Sequence, residues 1–334
     1  PEIIAITDKV IAEFEAAHSG VKVEWDRSTG DDYQFTGLPS LLEGDTPPDI
    51  YFEWGGDRVR NHALDGEAMD ISDLAEEMKG FINESAWSGG YFDGRYYMIP
   101  YVQDITIMMW YNKDIFDRLN LQEPATWDEF LELCQVLKDN GITPLLMGNM
   151  DAWVTGNFGG VFLSRWAGED KTHAILSLEK GTALNDPDFV KALEFASELG
   201  EKGFVNDDMN TLGYEESFGL LFDEVAAMYP LGTWFRTEVV AEFAPDPEKA
   251  NFRFFNLPPF PGGKGESKSI MGLNNGFVVN QNTEHKELAY DFLRIYMKPE
   301  YQREFMQAGR ITSHKEVLME ATDDFTLEMV DMLN

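Results

Sequence analysis

The sequence predicts an α/β protein of two domains, each a mostly parallel sheet with helices on its faces. Three observations lead there. The chain has 334 residues, more than one ordinary domain holds and comfortable for two. Helical and strand periodicities alternate along it, the rhythm of a parallel sheet covered by helices. Hydrophobic residues make up 43% of the chain and aromatic residues 13%, enough to fill large cores without disulfide staples.

The elements follow in order. Val10, Ile11, Phe14 and Ala17 share one helical face, and His18-Ser19-Gly20 ends that helix. Val21, Val23 and Trp25 alternate as a strand does. Leu38 to Leu42 reads as a short helix, and Asp49 to Phe52 as a buried strand stopped by Gly55-Gly56. Ile105, Ile107, Met109 and Tyr111 alternate, which suits a strand leaving one domain for another. Thr126 and Glu129 form a capping box, with Trp127, Phe130, Leu131, Cys134 and Leu137 as the buried stripe behind it. Asp186-Pro187 starts a further helix, with proline at the first helical position. Strands are expected at Ala226 to Tyr229, Phe252 to Leu257 and Phe277 to Val279, and an exposed loop at Pro261 to Lys268. His285 to Met297 reads as a helix, and the last thirty residues as weakly amphipathic helix.

Charge narrows the partners. Lys and Arg total 26 against 60 Asp and Glu, a formal charge of -34. Nucleic acid needs a positive footprint, so nucleic-acid binding is excluded as an expectation, and an anionic membrane surface would repel the chain. The excess favours solubility, its self-repulsion costs stability at low salt, and it suits salty surroundings. The single cysteine, Cys134, lies in a helical stripe and reads as buried and inert. No run of 18 apolar residues occurs. The chain opens at Pro1 almost inside a helix, and the expectation is that processing or trimming removed what preceded it.

Several passages, taken together and in order, resemble a known family. They are Ile11 to Glu24, Leu42 to Ile50 with its Pro-Pro-Asp, Gly94-Arg-Tyr-Tyr-Met-Ile-Pro-Tyr101, Tyr111-Asn-Lys-Asp-Ile-Phe116 and Pro124-Ala-Thr-Trp-Asp-Glu-Phe130. Phe222 to Trp234, Asn256 to Pro259, Gly276 to Val279 and Ala289 to Leu293 complete the series. The pattern resembles the extracellular solute-binding proteins of ABC importers, in the carbohydrate class that includes maltodextrin-binding protein. The family's first strand is missing ahead of the first helix, and the C-terminus is short for the family.

That resemblance implies a two-lobed periplasmic-binding-protein fold with a ligand cleft between the lobes. Lobe one would comprise 1–103 and 270–301, and lobe two 106–268 and 304–334, with crossings near 103–105, 268–271 and 301–304. It implies a periplasmic or extracytoplasmic location, with a signal peptide and optionally a membrane anchor in the precursor. The implied partners are a carbohydrate ligand and the membrane permease subunits of an importer, with the chain itself a monomer. The implied function is capture of a neutral sugar, of two units or more, for delivery to that importer. Uptake of a uronate or other acidic sugar, a non-transport carbohydrate-binding or chemosensory role, and glycoside hydrolysis stand as alternatives.

Candidate site residues come from strand ends and turns. Trp54 and Trp234 are candidates to stack on the C–H face of a sugar, as are Trp153 and Trp166, which flank the glycine-rich stretch Gly156 to Gly160. Asp57 follows two glycines and would accept hydroxyl hydrogens, and Tyr101, Gln103 and Asp104 at the first crossing are candidates to touch ligand, with hinge structure as the alternative. Asn274 and Asn275 both donate and accept, although Asn275-Gly276 is also a turn signal. Arg236 and Arg310 would favour an acid sugar if both met the ligand. The alternative for each is ordinary packing or a solvated surface. Trp25, Trp87 and Trp127 read as core or lobe surface, and Trp110 as strand core in competition with the site.

Enzymatic readings are weaker. His18, His62, His173, His285 and His314 lack metal-ligand spacing, so neither a metal nor a cofactor is expected. Gly262-Gly-Lys-Gly265 lacks the ending of a phosphate-binding loop. With 60 carboxylates, a chance pair is no evidence for glycosidase chemistry.

Overall fold

The computed structural model describes residues 2–333 except Ser28, Thr29, Asp151, Ser177, Leu178, Lys180, Glu248, Ser267 and Ser269. The chain divides into two compact units, Pro1–Asp104 with Gly272–Asn334, and Ile105–Met271. Its strands are β1 (Ile50–Trp54), β2 (Tyr91–Phe92), β3 (Arg95–Tyr96), β4 (Ile99–Ile105), β5 (Met108–Asn112), β6 (Thr143–Leu145), β7 (Ala226–Leu231), β8 (Phe252–Phe255) and β9 (Gly272–Val279).

In the first unit the sheet order is β1-β9-β4. β1 and β9 run antiparallel, from Ile50 opposite Val279 to Trp54 opposite Asn275. The helices Glu2–Ala17, Lys286–Tyr296 and Pro299–Gln307 supply Phe14, Leu293, Tyr296 and Phe305 to one core with Ile99, Tyr101 and Val279. Gly276 lets β9 lie close to β4, because a Cβ there would fall 2.2 Å from the Ile99 carbonyl oxygen. The turn expected at Asn275-Gly276 is therefore strand interior.

The second unit has the order β6-β7-β5-β8. β5 is antiparallel to both β7 and β8, and β6 pairs parallel with β7. The expectation of mostly parallel sheets is corrected: the sheets are mixed, because β5 runs against both β7 and β8 and β9 runs against β1. Every residue of Ile99–Ile105 and Met108–Asn112 is buried. The alternation from Ile105 to Tyr111 thus spans two strands, with a break at Thr106-Ile107, and does not mark one exposed face.

Two other expectations change. Residues 304–334 belong with the first unit rather than the second. Gln103 N donates to Ile311 O at 2.8 Å, Ser313 N to Tyr101 O at 3.0 Å, and Ser313 Oγ to Pro100 O at 2.6 Å, so this segment lies along β4. No crossing occurs at 301–304, because the helix Pro299–Gln307 runs through it and buries Tyr301 and Phe305 in the first unit's core. The chain leaves the second unit between Met271 and Gly272. Ser269, within the crossing expected at 268–271, and Ser267, in the expected loop, lie outside the described residues. Gly265 of that loop is buried against the Ser164 carbonyl, 2.1 Å from where a Cβ would stand. Val21 to Trp25 is not a strand: Val21 and Val23 pack on the core, but among the described residues no neighbouring backbone supplies a ladder.

Local signals hold where they are local. Thr126 Oγ1 accepts from Glu129 N at 3.2 Å, while Glu129 reaches past the cap to accept from Ala125 N at 2.7 Å. Asp186 accepts from Asp188 N at 2.9 Å ahead of Pro187. Cys134 is fully buried, and burial pushes its thiol up, which keeps it inert. Among the described residues no helix is long and apolar enough to cross a membrane. Replacing Thr126 by Ala removes one cap acceptor, and urea denaturation is expected to show a loss of about 1 kcal/mol; no loss would mean that the Glu129 contact carries the helix start.

Candidate functional site

Each unit presents an aromatic cluster of its own. In the second unit, Trp234 follows β7 in the turn Gly232-Thr233-Trp234. The ring lies flat on Gly232, where a Cβ would sit 2.0 Å from Trp234 Cζ3, so only glycine accommodates it. Trp110 supports the turn from beneath, donating Nε1 to the Leu231 and Gly232 carbonyls, both at 3.1 Å, and stacking on Phe235 at 4.6 Å. Trp110 is core, and its role is to hold the turn.

Trp234 Nε1 donates to Tyr214 Oη at 2.9 Å. Tyr214 meets Trp153 edge-to-face at 4.8 Å, and Trp153 lies 6.1 Å from Trp234 at 50°. Trp153 opens the helix Trp153–Ala167, and Asn149 Oδ1 accepts from Thr155 N in its first turn at 3.1 Å. Trp153, Tyr214 and Trp234 are each only partly buried. The glycines of the glycine-rich stretch, Gly156, Gly159 and Gly160, lie inside this helix, and Met271 packs where a Gly160 side chain would stand.

Trp166 belongs elsewhere. Thirteen residues along the same helix separate it from Trp153, roughly 20 Å of axis. Its Nε1 donates to Asp188 at 2.9 Å, and its ring packs 5.8 Å from Phe195. Trp127 is buried in this unit's core. Arg236 is exposed and starts the helical segment Arg236–Phe243.

In the first unit, Trp54 ends β1 with its ring half-buried among Phe52 at 4.9 Å and Tyr33 at 6.1 Å. The Arg58 guanidinium stands 5.5 Å from the ring centre. Asp57 is exposed in the first turn of the helix Asp57–Leu64 and sits 3.8 Å from Arg60. Gly55 N donates to Asn274 O at 2.9 Å and Gly56 N to Gly89 O at 2.7 Å, which fixes the turn between them.

The amides expected to meet a ligand largely meet each other. Gln103 is buried, accepts from Asn83 at 3.1 Å, and donates to Ser85 Oγ at 3.0 Å and Asn274 Oδ1 at 3.4 Å. Asn274 Nδ2 donates to Ser85 O and Ser88 Oγ, both at 3.0 Å. Asn275 and Asp104 are buried and paired at 2.8 Å. Tyr101 is core packing, stacked on Phe277 at 5.3 Å. Arg310 is half-buried beyond the helix Pro299–Gln307, near Tyr296.

A charged cluster absent from the sequence candidates lies behind Trp54. Glu53 is fully buried and accepts from Trp54 N at 2.9 Å, Arg58 Nε at 2.6 Å and His62 Nε2 at 2.8 Å. His62 Nδ1 donates to Glu67 at 2.6 Å. An ionised carboxylate only accepts, so with both acids ionised the two contacts place a hydrogen on each ring nitrogen and favour the imidazolium. Burial alone would raise the Glu53 carboxyl, but the His62 and Arg58 hydrogen bonds outweigh it and hold it below its usual range. For His62 burial lowers the value, and the bonds to Glu53 and Glu67 raise it above 6.5. The signal was present: an acid inside the apolar run Ile50 to Trp54, on the face that also buries Tyr51.

The fold is a two-unit α/β one, and its class follows from the family it belongs to. The profile of the bacterial extracellular solute-binding protein family matches residues 1–303, and the chain belongs to that family. The family is one of binding proteins rather than enzymes, and it acts outside the cytoplasmic membrane. An uncharacterized ABC transporter extracellular-binding protein of Pyrococcus horikoshii is 25% identical over 97% of this chain and 72% of its own length. The fructooligosaccharide ABC transporter substrate-binding protein of Streptococcus pneumoniae is 22% identical over 83% of this chain and 56% of its own. Among solved structures, a chitin oligosaccharide binding protein superposes with a TM-score of 0.87 at 22% identity, covering 99% of this chain and 82% of that one. A bacterial solute receptor with an exclusive preference for β-D-galactopyranose gives 0.85 at 19% identity, with the same coverage of 99% and 82%. At these identities the superpositions establish the fold alone.

Tyr214→Phe leaves the Trp234 indole N–H without its acceptor, and is expected to cost about 1 kcal/mol in urea denaturation and to shift tryptophan fluorescence. The His62 clamp contributes fully below the ordinary histidine value of 6.5 and is lost as pH rises through the raised folded value. Glu53 contributes above its ordinary 4.5 and is lost as pH falls through the lowered folded value. Stability measured against pH is therefore expected to fall on the alkaline side, and His62→Gln to flatten that limb; an unchanged limb would contradict the clamp.

Proposed function

We propose that this chain captures a neutral carbohydrate, of two or more units, and delivers it to the membrane permease of an ABC importer. One observation carries the reading: Trp153 and Trp234, tilted to each other and joined through Tyr214, are both only partly buried. A sugar offers a weakly apolar C–H face to such rings, and an indole gives large contact area at little entropic cost. Trp54 offers a third half-open indole in the other unit. The formal charge of -34 disfavours an anionic ligand. Relatives and structural neighbours named for fructooligosaccharide, chitin oligosaccharide and galactopyranose support a carbohydrate as the ligand class.

A thermal-shift screen of neutral mono- and oligosaccharides, uronates, polyols and amino acids, followed by calorimetry, tests this. At a hundredfold excess over Kd a ligand adds about 2.7 kcal/mol, a shift of several degrees. A neutral oligosaccharide is expected to give that shift and to be recovered unchanged. Trp234→Ala is expected to weaken its binding about tenfold or more. A response to amino acids alone, or hydrolysis of the sugar, would overturn the reading.

A further inference from the structure

The sugar reading uses Trp54 but leaves the buried charges behind it without a task. Glu53 has no exposed surface, and a carboxylate with no water around it costs several kcal/mol unless it is paired and hydrogen-bonded. An apolar residue on the buried face of β1 would avoid that cost. What the acid adds is direction. One oxygen of Glu53 receives both the Trp54 amide at 2.9 Å and Arg58 Nε at 2.6 Å. The other receives His62 at 2.8 Å and, more loosely, Arg58 Nη2 at 3.3 Å. The guanidinium plane so fixed is the group standing 5.5 Å from the centre of the Trp54 ring. Phe52 and Tyr33 bound the same ring, and Tyr33 is itself tied to the Phe52 carbonyl at 2.6 Å.

We infer that Glu53 is a positioning residue for Trp54: clamped by His62, it orients Arg58 against the indole and sets the ring's presentation at the end of β1. The functional meaning of this device rests on the proposal that Trp54 meets sugar; the device itself does not.

The cluster is closed on every side that packs against it. β1 contributes Glu53 and Tyr51, whose hydroxyl is buried without a partner and whose ring meets His62 edge-on at 5.3 Å. The helix Asp57–Leu64 contributes Arg58 and His62, with Asp57 and Arg60 on its exposed side. Glu67 follows that helix and takes the outer ring nitrogen of His62 at 2.6 Å. Tyr33 faces the cluster from the segment Tyr33–Gly37, and Asp26 acts on Tyr33 from a greater distance. Within the clamp, Glu53 and Glu67 face Arg58 and protonated His62, so the set is neutral only while the ring keeps its proton. Loss of that proton leaves Arg58 as the cationic partner of Glu53 among the described residues, and changes the field that sets the guanidinium against the indole.

The test needs no ligand. The full chain, labelled with 5-fluorotryptophan, has eight tryptophans and so eight fluorine signals, and Trp54→Phe assigns the one at issue. Followed from about pH 5 to about pH 10, the Trp54 signal is expected to move in one step with its midpoint above the ordinary histidine range. Glu67→Gln, at the half-exposed rim, is expected to fold with little change in melting temperature and to lower that midpoint. Glu53→Gln is expected to shift or broaden the Trp54 signal at every pH. If Glu53→Gln does not fold, Glu67→Gln and Arg58→Lys decide the matter, the latter by displacing the Trp54 signal alone. A Trp54 signal that is flat with pH and unmoved in Glu67→Gln and Arg58→Lys would overturn the inference. The sugar screen and this titration fail independently, since one reads ligand binding and the other the ring without ligand.

Discussion

β9 has to find β1 across more than two hundred residues of sequence, and β4 across more than one hundred and sixty, before the first unit has a sheet. From Ile50 with Val279 to Trp54 with Asn275, that ladder aligns the segments that carry most of the unit's candidate site. Gly276 lets β4 close on the other side of β9, since a side chain there would strike the Ile99 carbonyl. Long-range pairing of this kind carries a large loop-closure entropy, which is recovered only when the whole ladder and its helices form. The register then decides local matters. It brings Gly55 to Asn274, seats Asn275 against Asp104, and turns Glu53 inward.

The two aromatic clusters solve one physical problem by different means. A half-exposed indole has few neighbours to hold its angle. In the second unit the restraint is neutral: Gly232 beneath the ring, Tyr214 at its N–H, and Trp110 bracing the turn's carbonyls. In the first unit the restraint is ionic, through Arg58 and the buried Glu53. The neutral arrangement is insensitive to pH in the physiological range, whereas the ionic one is bounded by a carboxylate below and an imidazolium above.

Polar residues near the strand ends show how far residue type alone misleads. Gln103 and Asn274 have the chemistry of hydroxyl recognition, yet they hydrogen-bond each other, Asn83, Ser85 and Ser88. Tyr101 has the chemistry of a stacking ring, yet it stacks on Phe277 inside the core. Trp153 and Trp166 flank one glycine-rich stretch in sequence, but a continuous helix places them at opposite ends. The family resemblance was legible because it rests on many short ordered passages, each dominated by local turns and caps.

What the sequence determined by itself is what neighbours in the chain decide: helix starts at Thr126 and Asp186-Pro187, the inert burial of Cys134 in a helical stripe, the supply of indoles, and family membership. The tertiary structure alone decided which backbone a strand meets. That choice left Val21 to Trp25 without a ladder, made Asn275-Gly276 strand rather than turn, carried residues 304–334 to the first unit, and gave Glu53 its partners. The reason is common to all four. A strand's hydrogen bonds and a buried charge's counterions come from residues distant in sequence, so no local pattern records them.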